Sequence, residues 1–115
     1  MTYTRVCALA DIEEPGALHV EVGDVPIAVV RSDGELYAVQ DICSHADIPL
    51  SEGDVDGSTI ECWLHGSRFD LRTGKPIGLP ATEPVATFPI ELRGPEDQRD
   101  VYVDTESTLN GVTPA

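Results

Sequence analysis

Two short segments carry the residue types that do metal or redox chemistry, Asp41-Ile-Cys43-Ser-His45 and Cys62-Trp-Leu-His65. Each pairs one cysteine with one histidine. Three Cys and three His scattered over 115 residues would produce each spaced pair about 0.08 times, so finding both is roughly a one-in-a-hundred event. Thiolate plus imidazole is a soft-to-borderline donor set suited to an iron–sulfur centre or to zinc. The remaining pair, Cys7 and His19, lies outside both segments. Cys7 is expected to be a small buried thiol and His19 a strand-surface imidazole, neither with a role.

Ligands on two loops can meet only if a framework brings the loops together, and the chain reads as strands throughout. Leu18, Val20 and Val22 alternate with His19 and Glu21, and Ile27 to Val30 is a short apolar run. Asp33-Gly34 separates that run from Leu36 to Val39 and offers the positive φ angles of a type I′ hairpin turn. Further strands are predicted at Ser58 to Glu61, at Ser67 to Leu71 before an Arg72-Thr-Gly-Lys75 turn, at Thr87 to Arg93, and at Val101 to Asp104, with a polar hairpin loop from Gly94 to Asp100. The two Cys/His segments then follow strands directly. No 3.6-residue apolar period persists over ten residues, and nine Pro with ten Gly interrupt any long helix, so the fold class is all-β. One domain is expected over 1–104, and the polar stretch 105–115 is expected to be a frayed tail.

Composition narrows the chemistry further. Twenty-one acids against seven bases give a formal charge of −14, which repels phosphate backbones and anionic lipid; neither nucleic acid nor a membrane is expected as a partner. No apolar run approaches the roughly 20 residues of a spanning helix. The first fourteen residues, with one Arg and an acidic Asp11-Ile-Glu-Glu14, are unlike an export signal, so a cytoplasmic location is expected. An odd, small cysteine count in a reducing compartment points to metal or redox use rather than to a disulfide scaffold. The acids are uneven: from Trp63 to Thr82 three bases face one acid, a local charge of +2 on an acidic body.

Cys43-x-His45, sixteen intervening residues, then Cys62-x-x-His65 and Gly66 resembles the Rieske signature. The likeness continues through Pro49-Leu-Ser-Glu-Gly53, the Asp56-Gly57 turn and Phe69-Asp-Leu-Arg-Thr-Gly74, and is similar to the small ferredoxin components of bacterial ring-hydroxylating dioxygenases over roughly Val20 to Val103. That resemblance implies an antiparallel Rieske-type β-sandwich or barrel with a small cluster-binding subdomain built from two loops, about 41–50 and 62–82. It implies one 2Fe-2S cluster, with one iron held by Cys43 and Cys62 and the other by His45 and His65. Leu79, Pro80 and Ala81 resemble the family's proline loop, which covers the cluster. The extra cysteines that form a disulfide in respiratory relatives are replaced here by Ile48 and Leu64; of two hydroxyl positions after the second His, Ser67 is kept and Phe69 is not. Ser67 is therefore a candidate tuning group, and Phe69 is expected in the core.

A neutral oxidised centre with two thiolates accepts an electron more readily than a doubly negative four-thiolate one, which favours a higher potential. The function this implies is a monomeric, soluble one-electron carrier, without catalytic residues of its own, between a flavin-dependent reductase and a terminal non-heme iron oxygenase. An oxygenase would need a 2-His-1-carboxylate iron site, and only His19 is left over. The alternatives are an accessory protein of iron–sulfur assembly, a redox sensor, or a zinc staple between two loops. Trp63, between two ligands, is either an exposed docking anchor or a plug over the loop base.

Overall fold

A computed structural model describes residues 3–42, 48–63, 66–77, 83–106 and 108–112. Among them, ten strands run in chain order: β1 (Thr4–Ala8), β2 (Gly16–Val22), β3 (Val25–Ser32), β4 (Glu35–Gln40), β5 (Asp54–Asp56), β6 (Thr59–Glu61), β7 (Arg68–Asp70), β8 (Thr87–Phe88), β9 (Ile90–Arg93) and β10 (Asp100–Val103), with single 3-10 turns at Leu9–Asp11 and Leu50–Glu52. They pair antiparallel in three sheets, ordered β2-β3-β4-β8, β1-β10-β9 and β5-β6-β7. The all-β architecture expected from the sequence is the one observed.

The apolar run Ile27 to Val30 has a simple cause, because β3 is buried on both faces. Ile27 and Val29 join Cys7, Ala38, Phe88, Val101 and Val103 in one core, against the β1-β10-β9 sheet. Ala28 and Val30 join Val39, Leu50, Ile60, Cys62 and Phe69 in a second core, against the β5-β6-β7 sheet. The middle sheet is thus the shared wall of two cores. On β2, at the sheet's edge, the alternation is real: Leu18, Val20 and Val22 pack on the first core and His19 points to the other face. Turn chemistry sets the registers. Asp33 and Gly34 both have positive φ, 52° and 79°, between the paired Ser32 and Glu35.

The structure departs from the sequence reading in four places. β1 was not anticipated, since a bulge between Arg5 and Cys7 breaks its alternation. β5, with Asp at both ends, has poor strand propensity and exists because the Gly57 turn folds it back on β6. The expected strand Thr87 to Arg93 is two strands, because Pro89 has no N–H for a ladder; β8 pairs with β4, and β9 with β10. The expected frayed tail 105–115 is tied down over 108–112. Leu109 N–H donates to the Thr87 carbonyl at 2.8 Å, and the Asn110 amide donates to the carbonyls of Thr73 and Val85, both at 2.8 Å. Its Oδ1 accepts from Thr87 N–H at 3.3 Å, so one carboxamide covers the outer edge of β8.

Ile27 sits at 0% exposure on the shared wall. Ile27→Val should cost about 0.5–1.5 kcal/mol and Ile27→Ala about 2–5 kcal/mol in denaturant unfolding of the cluster-loaded protein. Equal midpoints for Ile27→Ala and wild type would show that this face is not packed as described.

Candidate metal centre

β6 runs straight into Cys62, which is fully buried in the second core. The turn beyond it is closed by backbone bonds: Cys62 N–H donates to the Ser67 carbonyl at 2.7 Å, and Gly66 N–H donates to the Cys62 carbonyl at 3.0 Å, with Gly66 at φ 73°. β7 is flanked on its other side by the 75–77 segment, through Asp70 N–H to the Lys75 carbonyl and Ile77 N–H to the Arg68 carbonyl. Gly53 lets the chain pass against the end of β6, where a Cβ would collide with the Glu61 carbonyl. Ser67 is fully buried at the start of β7, and Phe69 is in the core as expected. Trp63 is 56% and Ile77 51% exposed, which leaves Trp63 an open surface residue rather than a plug over the loop base.

The other loop leaves β4 after Gln40. Gln40 N–H donates to the Ala86 carbonyl at 2.8 Å and Asp41 N–H to the Pro26 carbonyl at 2.9 Å, which anchors the exit to strands on both sides. The buried Asp41 carboxylate accepts from Ser51 N–H at 2.7 Å, from the Ser51 hydroxyl at 2.6 Å and from His19 Nδ1 at 2.5 Å. His19 is therefore more than a bare strand-surface imidazole. Sequence reasoning passed over Asp41 and Ser51 as functional residues. The available signal was an acid placed just after a strand and just before a candidate ligand, a position where a carboxylate can reach back to the framework.

Of the residues predicted to hold or cover the cluster, Cys43, His45, His65, Leu79, Pro80 and Ala81 lie outside the described residues. The structure brings together the stems that carry them. Ile48 and Leu50 from the first loop, Cys62 from the second and Val85 just past the third pack into one core. Among the described residues no group of three His, Cys, Asp or Glu is placed to hold a metal ion, Cys62 being the one expected ligand they include. A buried thiol where three loop stems converge, with apolar walls that exclude water, fits one thiolate ligand of an iron–sulfur centre.

A family model described as Rieske [2Fe-2S] domain matches residues 2–89. The chain belongs to the Rieske [2Fe-2S] family. It is 43% identical over 113 residues to the ferredoxin component of biphenyl 2,3-dioxygenase from Rhodococcus jostii RHA1, covering 98% of this chain and 99% of that one. It is 41% identical over 105 residues to the 3-phenylpropionate/cinnamic acid dioxygenase ferredoxin subunit of Escherichia coli K12, covering 90% and 94%. Among solved structures, the ferredoxin of carbazole 1,9a-dioxygenase from Nocardioides aromaticivorans IC177 superposes with a TM-score of 0.81 at 33% identity, over 90% of this chain and 97% of its own. A chain from a complex of reduced oxygenase and oxidised ferredoxin in carbazole 1,9a-dioxygenase gives 0.78 at 39% identity, over 88% and 91%. The cofactor of this Rieske protein is accordingly one 2Fe-2S cluster.

Cys7 belongs to the first core, away from the Cys62 core. Burial first, and then the charge of Asp11, push its thiol up to about 11. The neutral thiol is thereby favoured in the fold; that contribution to stability is complete below the ordinary thiol range and is lost as pH rises through about 11. At pH 8 the thiolate fraction is about a hundredfold lower than in the unfolded chain, so iodoacetamide should label Cys7 at least about a hundredfold more slowly in the folded protein, by mass spectrometry. Labelling at the unfolded rate would place Cys7 at the surface.

Proposed function

We propose that this chain takes single electrons from a flavin-dependent reductase and delivers them to a terminal non-heme iron oxygenase, with Cys43 and Cys62 on one iron and His45 and His65 on the other. The observation that carries the reading is the 43% identity, over nearly the whole of both chains, to a dioxygenase ferredoxin component. Relatives of this kind are electron-transfer subunits rather than catalytic enzymes, and this chain shares that character. The same relatives favour the carrier over an accessory role in iron–sulfur assembly or redox sensing. A zinc staple does not match the family.

The cluster supplies a one-electron couple; the protein's task is to hold it still and near the surface. Stillness comes from the framework. The second loop closes through β6 and β7, the first leaves β4 beside two anchoring carbonyls, and apolar side chains around Cys62 keep water from the sulfur side. Nearness comes from the exposed loop residues Trp63 and Ile77, which offer apolar contact next to the ligand loop. We assign the local +2 charge of 63–82 to the contact itself, and the acidic remainder to long-range steering toward a basic partner. No helix among the described residues is long and apolar enough to cross a membrane; we propose a cytoplasmic, monomeric carrier.

Added to its reductase and oxygenase, the cluster-loaded protein should raise hydroxylation of an aromatic substrate in a saturable way. Cys62→Ser should abolish the effect together with the visible absorption. Trp63→Ala should raise the apparent KM for this protein by about fivefold or more at an unchanged reduction potential. Turnover that ignores the added protein would refute the carrier role. Ser67 is proposed to donate to the cluster region through its hydroxyl: if that bond favours the reduced state by ~1–2 kcal/mol, Ser67→Ala should lower the potential by ~40–90 mV in protein-film voltammetry. An unchanged voltammogram would show that the hydroxyl points elsewhere.

A further inference from the structure

The two ligand-bearing loops are closed at their stems by different means. The second is closed by backbone alone, through the Cys62 N–H to Ser67 carbonyl bond and the β6–β7 ladder behind it. The first has no ladder among the described residues. β4 ends at Gln40, and the chain returns as the 3-10 turn Leu50–Glu52, which belongs to no sheet. What joins its two ends is the Asp41 side chain, wholly buried, with Ser51 bound to both of its oxygens. A third donor arrives from β2, His19 Nδ1 at 2.5 Å, and the His19 side chain is 46% exposed on its outer side. An ionised carboxylate has only acceptors, and three converging donors suit it. An amide in its place could still accept from Ser51 N–H, but its NH₂ would face the Ser51 hydroxyl and His19, which must then turn from donors into acceptors, and the bonds to a charged acceptor would be lost. Bonds to a charged acceptor are also the stronger kind, as a clasp on a loop without ladder support requires.

We propose that Asp41, held by Ser51 and His19, is the positioning residue of the first ligand loop. The carboxylate locks position 41 to position 51 and so fixes the span that presents Cys43 and His45 to the cluster. His19 is the outer half of the clasp: it lies on the edge strand, and its removal opens one side of the carboxylate to water without touching either core. The proposal rests on the reading of Cys43 and His45 as ligands. That reading fails separately, if Cys43→Ser or His45→Ala keeps the wild-type visible spectrum.

The test uses cluster-loaded wild type, Asp41→Asn, His19→Ala and His19→Gln. Each is followed for the rate at which excess iron chelator bleaches the visible absorption, and for the line width of the rhombic electron-spin signal after reduction. Asp41→Asn should bleach about tenfold faster than wild type and show a broadened signal, as a loop with a distribution of ligand positions would give. His19→Ala should bleach about threefold faster, and His19→Gln, whose amide can still donate, should return to within about twofold of wild type. Sub-denaturing urea separates positioning from plain stability: bleaching through a local opening of the loop is nearly independent of urea, whereas bleaching through global unfolding rises steeply with it. Wild-type bleaching rates and line widths in both Asp41→Asn and His19→Ala would overturn the proposal, as would faster bleaching with a steep urea dependence. If Asp41→Asn does not take up the cluster, the His19→Ala and His19→Gln pair decides the question alone.

Discussion

A single sheet has to serve as the wall of two cores at once, and the rest of the molecule follows from how that is done. Ile27 and Val29 face one core, Ala28 and Val30 the other, and all four are fully buried. A slip of one residue in the pairing of β3 would exchange the two faces and bring Ala28 to the place of Ile27, so the register is held from both sides. The same register pairs Ile27 with Gln40, the last residue of β4. The exit of the first loop is thereby set by the packing of the sheet interior, and the loop begins from a place that thermal motion barely shifts.

The second core does more than stabilise. It takes Leu50 from one side of the first loop, Cys62 from the second and Val85 from beyond the third, so apolar burial gathers the stems of the loops proposed to hold and cover the cluster. Charge then works where burial cannot. The Asp41 carboxylate ties position 41 to Ser51, and the bonds it accepts satisfy it inside the protein. For an electron carrier this division is economical, because what the function asks of the protein is a fixed site close to the surface.

Much of this was legible in the sequence, for reasons that differ from element to element. The Cys/His segments stand out because metal chemistry demands particular side chains at particular spacings, although Cys62 is the one of the four proposed ligands among the described residues. The run Ile27 to Val30 and the Asp33-Gly34 turn were visible because double burial and positive φ leave strong local signatures. The elements that were missed draw their stability from partners distant in the chain. β1 depends on β10 across a bulge, β5 on β6 despite its aspartates, and the 108–112 segment on the free edge of β8, through Asn110. Asp41 was missed for the same reason. Its partners, His19 and Ser51, are 22 and 10 residues away, and its place between a strand and a candidate ligand does not name them.

The central claim is that two loops of one framework give sulfur to one iron and nitrogen to the other. Mössbauer spectroscopy of the oxidised, ⁵⁷Fe-loaded protein reads that asymmetry directly. The account predicts two quadrupole doublets of equal area, one for an iron with sulfur ligands only and one, of larger isomer shift and splitting, for an iron with two nitrogen ligands. A single doublet from two equivalent irons, or a spectrum without a coupled pair of irons, would contradict it.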